Sequence, residues 1–255
     1  MIRRLAGADL PPEVFFGGGS ARSLETFITT FSAQRLTPNH SQRNNSPLAN
    51  GVRYSFFMET PTLEGRNVRL EPLTLDHLPG LEAIAFDPSI WRYMIYSIQT
   101  PEDLRAWVEA ALEQQSEGTA LPWVTVAKGH DGEPDRIVGA TRFLDLNLTH
   151  RTTELGNTWL VDRVRGTRIN PEAKLLQLSY AFETLELQRV SFKTHDCNQR
   201  SKSAIRSIGG VYEGLFRNHL IMPDGSSRDS AWYSIIPKEW PEVKDMLIRR
   251  LNAPV

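Results

Sequence analysis

Arg163, Arg165, Gly166, Thr167 and Arg168 crowd into one short stretch directly before Asn170 and Pro171. A turn that feeds a helix presents unpaired backbone N–H groups and the positive end of the helix dipole, so this run suits an anion such as a phosphate. The guanidinium groups add charge to that. A basic surface turn with no ligand is the other reading of the same residues. His195 and Cys197 stand two apart, as a thiol–imidazole pair would, but neighbouring positions on one strand seldom give the required geometry and no oxyanion motif accompanies them. The remaining histidines, among them His40, His77, His130, His150 and His219, are scattered. The sequence has no Walker-type phosphate loop, no dinucleotide glycine fingerprint and no cluster of metal ligands, so no metal is expected.

These residues need elements to position them. Thr152 to Val161 reads as a strand, with Leu155 and Trp159 alternating with Glu154, Gly156 and Thr158, which places Leu155 and Trp159 on one buried face. Asn170 is a good N-cap and Pro171 a good first helical residue, because the missing proline N–H would be unpaired there anyway. Leu175, Leu178, Phe182 and Leu185 then give that helix an apolar stripe as far as about Glu186. Val190, Phe192 and Thr194 alternate in the next strand, completing a strand–helix–strand unit with parallel pairing.

Around this unit the chain predicts a short strand at 67–70 ended by Pro72, and a helix from Thr74 to Ala85. An aromatic loop with Trp91, Tyr93, Met94 and Tyr96 precedes a helix from Pro101 to about Gln115, capped by Thr100. A hairpin of Trp123–Val126 and Ile137–Asp145 comes next. Downstream lie a helix from Asn198 or Ser201 to Ile208, strands at 211–221 and 230–236 around Pro223-Asp224-Gly225, and a last helix from about Pro241 to Leu251. Residues 1–57 differ, with Pro11-Pro12, a glycine run from Gly17 to Gly19 and an Asn/Ser-rich tract. That composition predicts a poorly ordered N-terminal extension with one short helix around Leu24, Phe27, Ile28 and Phe31. Its arginines hint at a transit peptide, against which stand Asp9, Glu13 and Glu25.

The 255 residues carry 29 Lys+Arg and 30 Asp+Glu, a net charge of −1, and nothing in that balance suggests a nucleic-acid partner. No run approaches the length of a membrane span. One cysteine, Cys197, rules out an internal disulfide and fits a reducing compartment such as the cytoplasm.

Taken together, the segments resemble the GNAT superfamily of acyl-CoA-dependent N-acyltransferases, and within it the branch containing the ribosomal-protein N-terminal acetyltransferases. Leu63-Glu64-Gly65-Arg66 with Val68-Arg69-Leu70 looks like that branch's first strand, and Glu154-Leu155-Gly156 with Trp159-Leu160 like its central strand. Asn198-Gln199-Arg200-Ser201 with Ile208-Gly209 is similar to a later helix, and Glu213-Gly214 through Met222-Pro223-Asp224-Gly225 to Arg228-Asp229-Ser230 to its final hairpin. The resemblance implies an α/β fold: a mixed, mostly antiparallel sheet with a central splayed parallel pair and flanking helices, over residues 58–255. It also implies acetyl-CoA as co-substrate and transfer of its acetyl group to a primary amine, on a protein N-terminus or a small molecule, by a monomer or homodimer.

The resemblance assigns roles as well. Trp159, Leu160 and Val161 would pair with pantetheine, and Arg165, Gly166, Thr167, Arg168, Ile169 and Asn170 would hold the pyrophosphate, with Asn198 beside them. In the family signature Q/R-x-x-G-x-G/A, Arg165 is in place, while Arg168 replaces the first glycine and Asn170 the small final residue. A left-handed backbone at Arg168 would cost about 1–2 kcal/mol; alternatively its guanidinium could pair with a phosphate. Glu154 is the expected base, with a solvated strand carboxylate as the alternative. Ile205 stands where many relatives carry a tyrosine acid, which leaves Ser201 as the substitute. Trp91, Tyr93, Arg217 and His219 are expected near the acceptor, with core packing equally open for the first two. A fold that binds acyl-CoA or a protein partner without turnover is the competing functional reading.

Overall fold

The computed structural model describes residues 59–130 and 132–254; the N-terminal extension and its short helix lie outside the described residues. Eight strands form one sheet in the order β1-β2-β3-β4-β5-β6-β8-β7. They are β1 (Leu63–Glu64), β2 (Val68–Pro72), β3 (Leu121–Ala127), β4 (Arg136–Asn147), β5 (Thr152–Leu160), β6 (Arg189–His195), β7 (Val211–Ile221) and β8 (Ser227–Ile235). All neighbouring pairs are antiparallel except β5 with β6.

The helices follow local signals. Thr74 opens a 3-10 turn, Leu75–His77, and α1 (Leu78–Ala85) follows with Pro79 in its first turn, where a missing N–H is harmless. Asp87 caps the one-turn helix Pro88–Trp91. Thr100 caps α2 (Pro101–Ser116), its hydroxyl accepting from the Asp103 N–H at 3.1 Å, and the predicted stripe Leu104, Trp107, Val108 and Ala111 is buried. α3 (Ile169–Ser179) is extended by a π-helical segment, Tyr180–Thr184. α4 (Gln199–Ser207) is capped by Asn198, whose side chain accepts from the Ser201 N–H, and α5 (Trp240–Asn252) closes the fold.

Strand alternation sends side chains to two cores. Val124 and Val126 join Leu81, Leu104, Val108 and Ala140 under α1 and α2. Trp123 points the other way, where Phe143 (5.1 Å) and Tyr180 (6.5 Å) meet it edge-on. A strand covered on both faces reads as a continuous apolar run, which is why β3 shows no alternation.

At the centre, two irregularities build the site. Ala140 pairs with Trp159 and Arg142 with Gly156, so Asn157 and Thr158 together face Thr141 in a β-bulge, and Asn157 takes a left-handed backbone (φ 46°). The extra residue reverses the alternation. Leu155 lies opposite Phe143, on the α3 side, whereas Trp159 lies opposite Ala140, under α1 and α2. The expectation that Leu155 and Trp159 share a face is therefore corrected. The parallel register between β5 and β6 stops after Thr152–Arg189, Thr153–Val190 and Glu154–Ser191, and from there the strands diverge.

Candidate active site

A cleft of about 270 Å³ opens where β5 and β6 part. Backbone and side chains of 155–160 form one wall, Phe192 to Thr194 the other, and Gly166 and Asn170 the end nearest α3. Gly166 has φ 78°, and a Cβ there would meet nothing within 4 Å. The left-handed backbone at this position favours glycine, and the space beside it is open.

The predicted cofactor residues divide into those at the cleft and those that build the turn. Trp159, Leu160, Arg165, Gly166, Asn170 and Asn198 line it. The Trp159 ring itself belongs to the core, 5.3 Å from Trp91 and 6.3 Å from Trp107. Val161 is buried, and its N–H already donates to the Val138 carbonyl at 2.9 Å. Arg165 braces the turn, donating from Nε to the Leu160 carbonyl (3.0 Å) and from Nη1 to Asp162 (2.8 Å). Thr167 also serves the turn: its hydroxyl donates to the Val164 carbonyl and accepts from the Ile169 N–H. Ile169 is buried.

Two expectations about the helix start are corrected. The helix begins at Ile169, two residues before the expected Pro171, with Arg168 rather than Asn170 as a right-handed N-cap (φ −70°, ψ −15°), because Thr167 and Pro171 already satisfy or remove first-turn donors. Asn170 thus sits inside the first turn. With Arg168 right-handed, no strain attaches to it, and its guanidinium donates to the Ala253 carbonyl beyond α5. Arg168 neither lines nor obstructs the cleft.

Glu154 is 4% exposed, which overturns the solvated-strand alternative. Its carboxylate lies over Gly156, where a Cβ would come within 2.7 Å of Oε1, and Lys193 Nζ approaches Oε2 at 2.7 Å. Burial pushes its pKa above the usual carboxylate range, with the Lys193 ammonium opposing. Ser201 and Ile205 reach the cleft from α4, and Asn198 holds that helix start through the Ser201 N–H (3.0 Å).

The acceptor expectations fare unevenly. Tyr93 lines the cleft, its ring 5.5 Å from His195. Trp91 is a core residue, its indole N–H bonded to the Ala85 carbonyl at 2.7 Å. Arg217 is exposed on β7 and does not line the cleft, and His219 is held by the Ser230 hydroxyl at 3.1 Å beside Trp232.

Sequence reasoning missed Lys193, Arg228, Lys174 and the Tyr96–Asn157 contact. Lys193 and Arg228 come from strands whose neighbours only the sheet order supplies. Tyr96 donates to Asn157 Oδ1 at 2.7 Å and so fastens the bulge. Lys174 on α3 donates to Thr141 (3.0 Å), Thr158 (2.9 Å) and Gln177 (3.0 Å), and burial without a carboxylate partner lowers its pKa to about 7. Its helical position next to the stripe was the one available signal. Among the described residues no helix is long and apolar enough to cross a membrane, and no group of His, Cys, Asp or Glu is placed to hold a metal ion.

A sheet splayed beside a helix start, with a buried carboxylate at the point of divergence, defines a class of protein, and comparison with known families agrees. The chain belongs to the GNAT acetyltransferase family: the model of the acetyltransferase (GNAT) domain matches residues 67–211. It is 31% identical over 104 residues to the "Putative ribosomal N-acetyltransferase YdaF" of Bacillus subtilis (strain 168), a match covering 41% of this chain and 56% of that relative. The chain thus spans just over half the length of that relative. Among solved structures, a "putative acetyltransferase" from T. thermophilus is 38% identical with a TM-score of 0.66, covering 74% of this chain and 96% of that one. A GCN5-related N-acetyltransferase from Brucella melitensis is 26% identical with a TM-score of 0.70, covering 78% and 88%.

Proposed function

We propose that the chain is an acetyl-CoA-dependent N-acetyltransferase, acting in the cytoplasm, that transfers the acetyl group directly to a primary amine. The observation that carries this reading is the gap opening between β5 and β6 immediately beyond Glu154 and Ser191 and ending at the start of α3. Gly166 leaves room for a pyrophosphate against the first-turn amides of α3. Because Val161 and the Leu160 carbonyl already have partners, the β5 edge from Asn157 to Trp159 is the part that pairs with pantetheine.

The amine lone pair attacks the thioester carbonyl, forming the C–N bond, while a β5 backbone N–H meets the charge developing on oxygen. The C–S bond then breaks with its electron pair on sulfur. Glu154, buried where the strands part and not itself lining the cleft, takes the amine proton through water, and the Ser201 hydroxyl, which lines the cleft from α4, protonates the thiolate. An α-amine with pKa near 7.8 is already partly neutral at pH 7, whereas a lysine near 10.4 must first lose a proton at a cost of roughly 4.6 kcal/mol. An α-amine therefore asks less of Glu154 than a lysine does.

Calorimetric titration with acetyl-CoA, with desulfo-CoA as control, followed by thiol-release assays over an amine panel, tests the proposal. Micromolar binding with thiol release is the expected result. Binding without release to any amine would favour a non-enzymatic acyl-CoA module, and no binding up to millimolar cofactor would overturn both.

A further inference from the structure

Arg228 on β8 is 6% exposed and lines the cleft beside Tyr93. Nη1 donates to the Tyr93 carbonyl at 3.1 Å, while Nε is buried with no hydrogen-bond partner. No carboxylate among the described residues forms an ion pair with it. Glu154, the acid whose field it feels, is already engaged by Lys193 at 2.7 Å. Lys193 and Arg228 thus line the cleft, and among the described residues no carboxylate lines it with them. A guanidinium excluded from water and left with a single carbonyl partner is a costly arrangement, and an arriving anion relieves it. Nε and Nη2 form one edge of the guanidinium fork, whose spacing matches the two oxygens of a carboxylate.

We propose that Arg228 forms a carboxylate subsite in this cleft, so that the acceptor is a small amine bearing an acid group a few bonds from its nitrogen, as in a free amino acid. The inference rests on the transferase reading above and narrows it. The short reach follows from Lys193, which meets Glu154 at 2.7 Å and lines the cleft together with Arg228: the base must meet the nitrogen while the guanidinium meets the acid. A peptide N-terminus offers a neutral amide at that distance, except where its first side chain is acidic.

The test compares, with the full chain, thiol release from acetyl-CoA for L-amino acids and their carboxamides, together with peptide amides beginning with Asp or Asn. With each kcat/KM divided by the fraction of neutral amine, the free acids are expected to exceed their carboxamides by about tenfold or more, mostly through KM. Arg228→Gln should bring the ratio close to one, and Arg228→Lys should restore part of it. Equal use of acid and amide, or a ratio unchanged in Arg228→Gln, overturns the proposal, including the case in which loss of the Tyr93 contact slows both members alike. A preference confined to peptides beginning with Asp also overturns it, assigning Arg228 to an acidic side chain instead. If no amine is acetylated the transferase reading fails, and the subsite is then read without turnover by titrating CoA-saturated protein with N-acetyl amino acids and their amides. Acid-selective binding lost in Arg228→Gln upholds the subsite; its absence overturns it.

Discussion

Burial and the Lys193 ammonium act on Glu154 in opposite directions, and burial is the larger. A carboxyl held above its usual range is a better base near neutrality than an ordinary glutamate. Replacing it with glutamine should lower kcat by about 10²–10⁴ while leaving the affinity for acetyl-CoA in place. In the wild type, kcat/KM should rise with pH through the elevated Glu154 pKa, since the base acts deprotonated, and that limb should vanish in Glu154→Gln; a pH–rate profile of both checks this. Lys174 makes a second pH-dependent contribution, to stability. Below about pH 7 it is protonated in both states and the cost of burying its charge is fully present. Between about 7 and the free-lysine value near 10.4, the unfolded chain binds the proton that the folded chain lacks, so stability rises with pH. Thermal melts should show the wild type gaining on Lys174→Met by up to about 2 kcal/mol between about pH 7 and pH 9. Parallel curves would mean that the amine is not held neutral.

The turn from Asp162 to Arg168 shows what an element adds to its residues. Three arginines within six residues look like one electropositive loop, yet Arg165 is spent on the Leu160 carbonyl and Asp162, and Arg168 on the Ala253 carbonyl, while Arg163 is exposed and outside the cleft lining. What remains for an anion is the helix start and the space at Gly166. Arg168→Ala is accordingly expected to change the acetyl-CoA dissociation constant by no more than about twofold and stability by about 1 kcal/mol or less, measured by calorimetry and thermal melts. A large loss of affinity would return Arg168 to the phosphate site. The strand before this turn was legible as a strand, but not its bulge: nothing in Gly156-Asn157-Thr158 announces that two residues will oppose Thr141, because the register is negotiated with β4.

At the scale of the whole molecule, we propose that residues 58–255 fold as a domain that does not need the N-terminal extension. A chain starting at Met58 should therefore keep the wild-type melting temperature within a few degrees, about the shift that 1 kcal/mol produces at this size, and bind acetyl-CoA with equal affinity. A clear loss of either would give residues 1–57 a share in the folded domain. By itself the sequence determined the order of the main strands and helices, the cap at Thr100, the buried stripe of α2 and the family, and narrowed the start of α4 to Asn198 or Ser201, because propensity, capping and periodicity act between residues close in the chain. Only the tertiary structure decided that β5 and β6 part after Glu154, that Lys193 faces Glu154, that Arg168 turns to Ala253 and that Arg228 enters the cleft. Those outcomes depend on pairing between strands far apart in sequence and on desolvation, neither of which is encoded at any single position.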